Sequence, residues 1–129
     1  MVALDFPPAR GGIQVYLSEL ARRLPGVHVI APAATSEVDD GPLEVERVPL
    51  ARRPGWWSVP PLVARAVTRV SGGGYAGVLL GHVKLAASMP RLAAAGARRV
   101  AVCTYGMEVT SGRLKRLERW GLRRAWRVL

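Results

Sequence analysis

With 129 residues, half of them hydrophobic, the chain is long enough for one packed core and too apolar for global disorder. Nineteen Lys and Arg against nine Asp and Glu leave a net charge of +10, which favours anionic partners: phosphates, anionic lipid or nucleic acid. The single cysteine, Cys103, excludes an internal disulfide and reads as a small buried hydrophobe, which fits a reducing cytoplasm. No apolar run approaches the ~20 residues of a spanning helix, and "MVALDFPP" lacks the basic flank of a secretory leader.

Residues 2–6 form a short apolar strand candidate. From Ile13 the apolar spacing becomes helical, with Ile13, Leu17, Leu20 and Leu24 on one face, until Pro25-Gly26 stops it. "VHVIAP" (27–32) is a second strand; "ATSEVDDGP" is a polar loop; "LEVERVPL" (43–50) alternates apolar and charged residues as a half-exposed strand does. A Pro- and Gly-rich loop, "ARRPGWWSVPP", precedes a helix over 62–70. "AGVLLGH" (76–82) and "RRVAVCTYG" (98–106) are buried strands, separated by a helix that Pro90 kinks or restarts. From about Ser111 to residue 127 runs a basic amphipathic helix whose apolar stripe is Leu114, Leu117, Gly121, Ala125 and Leu129, and "WRVL" looks like a passage into another strand. The alternation of strands and helices predicts an α/β fold, a parallel sheet covered by helices.

Charge is uneven along the chain. Residues 98–129 carry nine basic side chains against Glu108 and Glu118, a local excess of +7. Trp56 and Trp57, flanked by Arg52 and Arg53, suit a headgroup-level contact with anionic lipid, or else pack on the domain. His82 follows a buried strand at a ligand-facing end; it either contacts an acceptor or is satisfied by loop backbone. His28, inside a strand, reads as structural. Two distant histidines and one cysteine provide no metal-ligand spacing.

In an open parallel sheet, ligands gather at the carboxyl ends of the strands. The first such loop is "FPPARGG", which is either a plain strand-to-helix turn or a site where Gly11 and Gly12 let a ligand approach the main chain and the next helix offers free N–H groups to an anion. The dinucleotide pattern G-x-G-x-x-G is absent, against NAD or FAD. "DFPPARGGIQVYLSELARRL" resembles the opening of family 4 glycosyltransferases, the retaining group of two-domain GT-B architecture. "VAVCTYGMEV" is similar to that family's strand followed by His-Gly-x-Glu, and "GVLLGHVKLA" to its strand plus Gly-His segment.

The resemblance implies a Rossmann-like sheet, the N-terminal half of a GT-B fold. Residues 1–129 would be its acceptor-side domain, incomplete, with the nucleotide-sugar-binding domain and its Glu-x7-Glu pattern absent, so that this chain alone turns over little. The implied reaction moves a sugar from a nucleotide-diphosphate donor to an acceptor, either lipid-linked or a polysaccharide precursor, with retention and with no metal or other cofactor. On the same basis Gly11 and Gly12 admit donor phosphates or acceptor, Gln14 hydrogen-bonds one of them, and Gly106 and Glu108 belong to the sugar-facing motif. Glu108 has the alternative of capping the following helix. Tyr105 occupies the position of a histidine beside the reacting sugar; it keeps a hydroxyl donor but cannot hold a proton near neutral pH as imidazole does. The implied location is cytoplasmic, peripheral on the inner face of the membrane. The rival class is a non-catalytic remnant or a basic module that binds nucleic acid or anionic surfaces.

Overall fold

The computed structural model describes residues 1–34, 38–50, 59–106 and 114–129. Helix α1 spans Gly12–Arg23, strand β1 His28–Pro32, strand β2 Glu44–Val48 and helix α2 Val59–Ser71. Strand β3 (Val78–Leu80) leads into a 3-10 helix (Val83–Ser88) and helix α3 (Met89–Ala94). Strand β4 (Val100–Val102), helix α4 (Arg116–Arg124) and strand β5 (Arg127–Val128) follow. The protein is an α/β fold, and every strand pair is parallel.

β1 pairs with β2, and β3–β4–β5 form a second small sheet. Val2 joins the two. It bridges Ile30 on one side and Leu80 on the other, donating from its N–H to Leu79 O at 2.8 Å and accepting at its carbonyl from Gly81 N–H at 2.8 Å. The order across the molecule is therefore β2, β1, the N-terminal segment, β3, β4, β5. The predicted strand over 2–6 shrinks to this bridge, because the chain bends out of the sheet at Leu4–Asp5. Phe6 nevertheless stays in the core.

Alternation along the strands divides the core in two. Ala3, Val29, Ala31 and Cys103 pack against Leu17 and Ala21 of α1. Val2, Ile30, Val78, Leu80, Val100 and Val102 face the other way, against Leu62, Val63 and Ala66 of α2, Leu85 and Ala86 of the 3-10 helix and Leu92 of α3. Each fully buried Leu or Val here is worth about 1.5–3 kcal/mol over leaving it in water.

Three helices depart from expectation. Leu24 lies beyond the end of α1, as its cap residue, and is exposed rather than in the apolar stripe. α2 begins at Val59, three residues early, since Pro60 and Pro61 fit the first turn, whose N–H groups have no intrahelical acceptor anyway. α4 is shorter than the expected 112–127: among the described residues it starts at Arg116 and ends at Arg124, and the strand foreseen in "WRVL" takes over. Gly121 is buried and Ala125 packs on the core, as the stripe requires, but Glu118 is buried with them, and Leu117, expected in the stripe, points outward. The Glu118 carboxylate accepts the Lys115 backbone N–H at 2.6 Å, so the acid caps its own helix from the inner side. Pro90 does restart the helix, sitting in the first turn of α3 after the 3-10 segment.

Candidate functional site

The carboxyl ends of the strands carry the loops that matter. α1 starts at Gly12 with Gly11 as its cap residue; no side chain caps it and no acid sits in its first turn. Its leading N–H groups therefore keep their attraction for an anion. Gly11 has φ 158° and ψ 170°, and a Cβ there would lie 2.5 Å from Gln14 Oε1. Gln14 thus folds its amide over Gly11 instead of reaching outward. At Gly12 a Cβ would meet nothing within 4 Å, so space opens directly in front of the helix.

That space is a cleft of about 390 Å³, lined by Gly12, Ile13 and Tyr16 from α1, Cys103, Thr104 and Tyr105 from the segment after β4, and Leu129. Thr104 fixes the far wall: its N–H donates to Leu129 O at 2.8 Å and its hydroxyl to the same oxygen at 3.1 Å. The Tyr105 hydroxyl donates to Gly81 O at 3.1 Å, tying the loop after β4 to the loop after β3. Tyr16 meets the Tyr105 ring edge-on, with centroids 6.4 Å apart. The lining is mostly apolar, and of its three hydroxyls those of Thr104 and Tyr105 already donate to Leu129 O and Gly81 O.

His82 stands behind Tyr105, ring centroids 6.3 Å apart, and is buried. Its Nδ1 accepts the Lys84 backbone N–H at 3.0 Å and so caps the 3-10 helix. Burial and then the nearby Lys84 cation push its pKa below the ordinary imidazole value, against a weaker pull from Asp5 and Glu118. A backbone N–H is thus one partner of His82, which is not among the residues that line the cleft. Burial likewise pushes the Cys103 thiol up, which keeps it protonated and a poor nucleophile.

The sequence-predicted residues therefore divide. Gly12 and Tyr105 share the cleft; Gly106, exposed, continues the Tyr105 segment; Gly11 and Gln14 lie against each other at the start of α1, outside the lining; His82 lies behind Tyr105. Glu108, Arg52, Arg53, Trp56 and Trp57 lie outside the described residues. Sequence reasoning missed Tyr16, Thr104, Leu129 and Gly81. Tyr16 was legible as the residue one helical turn after Gly12, and Gly81 as the glycine of the Gly-His pair. A Cβ at Gly81 would press within 3.0 Å of Leu17 and 3.2 Å of Val2 O, so only glycine brings its carbonyl to Tyr105 unshifted.

His28 is structural, as expected, at the opposite ends of the strands. Its Nδ1 lies 3.0 Å from Glu44 and its Nε2 3.1 Å from Glu46, and Glu46 also takes Arg65 and Arg69 of α2. Burial raises the Glu46 pKa, but hydrogen bonds from the two guanidinium groups outweigh it and hold the carboxyl below its usual range. Among the described residues no group of His, Cys, Asp and Glu could hold a metal ion, and no helix is long and apolar enough to cross a membrane. No protein-family model matches the chain, and no curated protein matches it in sequence.

Proposed function

We propose that this chain is the acceptor-side domain of a retaining glycosyltransferase of the GT-B kind, using a nucleotide-diphosphate sugar as donor. One observation carries the reading. The glycine loop before α1 and the "TYG" segment after β4, far apart in sequence, line a single cleft at the carboxyl ends of a parallel sheet. The strand order also supports it: in chain order the sheet reads third, second, first, fourth, fifth, sixth, the doubly wound arrangement in which ligands sit near the point where the order reverses. Here that point lies between the N-terminal segment and β3, beside Gly81 and the start of α1.

In this reading the N–H groups at the start of α1 face the donor diphosphate, and Gly12 leaves room for it. Tyr105 is a positioning residue, since its O–H already donates to Gly81 O and holds the sugar-facing loop in place. In this reading these residues supply the acceptor wall and the phosphate-facing helix end, and the transfer itself also needs donor-domain groups. An inner-membrane-face location and a lipid-linked or polysaccharide acceptor belong to the same proposal.

Amide NMR of the 129-residue chain, titrated with nucleotide-diphosphate sugars and with inorganic pyrophosphate, tests it. Shifts concentrated at Gly12, Ile13, Thr104 and Tyr105 are expected, with dissociation constants around the millimolar level for half a site. Shifts confined to other surfaces, or none at millimolar ligand, would remove the cleft from the mechanism.

A further inference from the structure

The outer face of α4 combines features that the cleft does not use. Arg116, Arg119, Arg123 and Arg124 are exposed there, with no ion-pair partner among the described residues. The helix's one acid, Glu118, is turned inward and spent on the Lys115 N–H. Between these cations stand large apolar groups that face water: Leu117 is 63% exposed and Trp120 36%, while Trp126, just past the helix, is 56% exposed.

The tryptophans are not free-standing. The Arg124 guanidinium lies over the Trp120 ring, 4.2 Å from its centroid. Arg99 and Arg127 lie at 5.4 and 5.1 Å from the Trp126 centroid. Each ring is held by a cation at its face. A nucleobase would have to displace those guanidinium groups to stack, and Leu117 has no complement on a phosphodiester backbone. A bilayer surface uses all three features together: headgroup phosphates for the arginines, the interfacial zone for indole rings, and the upper acyl region for Leu117.

We propose that the α4 outer face, with Trp126 beside it, docks the protein on an anionic lipid surface. The surface is separate from the cleft and does not depend on the glycosyltransferase reading. The occupant is a bilayer carrying anionic headgroups, selected by the uncompensated arginines, with the aromatic and aliphatic groups fixing how deep the helix sits.

Co-sedimentation with vesicles tests it, using phosphatidylcholine alone and phosphatidylcholine with about 30% phosphatidylglycerol. Binding to the anionic vesicles alone is expected, lost as salt rises. Replacing Arg116, Arg119 and Arg123 together by Gln should weaken it about a hundredfold, from roughly a fivefold loss per arginine near the surface. Replacing the exposed Arg22 and Arg23 of α1 by Gln lowers the net charge elsewhere and should leave binding within about twofold. Leu117→Gln should weaken binding without touching charge, and its unchanged circular dichroism would show the helix intact. Equal binding to neutral vesicles would overturn the proposal. So would equal losses from the α1 and α4 arginine variants, no loss with Leu117→Gln, or displacement from vesicles by a short DNA duplex at matched phosphate.

Discussion

Replacing Gly121 by Ala sets two effects of opposite sign against each other. In a helix interior alanine is favoured over glycine by about 1 kcal/mol, so on propensity alone Gly121→Ala stabilises α4. The structure opposes this. A Cβ at position 121 would run into the carbonyl oxygen of Ala86, and it would lie 2.7 Å from that residue's carbonyl carbon and 3.0 Å from its Cβ. These are the backbone and stub of a buried 3-10 helix, not the tip of a side chain that can swing aside. Relief requires α4 to back away by about 1 Å, which forfeits a quarter to a half of the dispersion energy across that contact. Overpacking of this kind costs about 1–3 kcal/mol, and a rigid backbone obstacle belongs at the upper end. The net is a destabilisation of about 2 kcal/mol, or roughly an 8 °C fall in Tm for a chain of this size. Urea denaturation followed by circular dichroism measures it. A peptide spanning 114–126 is the control, and there the same change should raise helicity. A full-length variant as stable as the parent would refute the close seating of α4 on the 3-10 helix. Because β5 follows α4 directly and Leu129 O anchors Thr104, the variant should also blunt ligand-induced shifts at Thr104 and Tyr105.

Gly12→Trp should keep Tm within about 2 °C, since its Cβ meets open space, yet abolish the pyrophosphate-induced shifts at Thr104; shifts equal to the parent's would place the ligand elsewhere. His82→Ala should cost about 1–2 kcal/mol by orphaning the Lys84 N–H, with His82→Asn recovering most of it; equal losses in both variants would show that the cap is unimportant. Because its folded pKa is depressed, His82 stabilises the fold above the ordinary value of 6.5 and progressively less as pH falls below it, and its imidazole should titrate by NMR with a midpoint below 6.5; a midpoint at or above that value would contradict its buried setting. Glu46 is depressed likewise, so its contribution is full at neutral pH and is lost as pH falls through and below the carboxylate range; Glu46→Gln should be less stable at pH 7 and flatten the acid limb of the stability curve, and an unchanged limb would assign acid unfolding to other carboxyls.

What was legible in the sequence follows a physical rule. Elements defined by one-dimensional periodicity were readable: Leu17 on the inner side of α1 with Ile13 and Leu20 packed beside it, the continuous apolar runs of β3 and β4, and the restart at Pro90. What failed depended on contacts that periodicity does not carry. Leu117 and Gly121 both suit the α4 stripe by spacing, and Gly121 does face Ala86, yet Leu117 is exposed while Glu118 turns in to accept the Lys115 N–H, a capping contact that apolar spacing does not reveal. Val2 through Phe6 reads as a strand, yet only Val2 finds partners on both sides before the chain bends away. At the site, glycines and Tyr105 were visible as types, whereas Thr104 and Leu129 matter because β5 lies beside β4. Nothing in "VHV" shows that His28 meets two carboxylates, since Glu44 and Glu46 reach it only through the β1–β2 register.

The distribution of acids separates the behaviour of the two proposed surfaces. Glu19 pairs with Arg22, Asp40 with Arg47, and Glu46 with Arg65 and Arg69, so much of the first half of the molecule is internally compensated. Among the described residues the arginines of α4 have no such partners, and their charge faces solvent. The cleft differs again: none of its lining side chains is charged, so an anion in it would be held by the backbone N–H groups at the start of α1. At physiological salt, screening over about 8 Å weakens interactions among exposed charges far more than short hydrogen bonds in a partly enclosed cleft. Salt should therefore strip the protein from anionic vesicles at concentrations that leave ligand shifts at Gly12 and Thr104 nearly intact. If both responses fade together, the cleft shifts come from the same arginines, and the two surfaces are one.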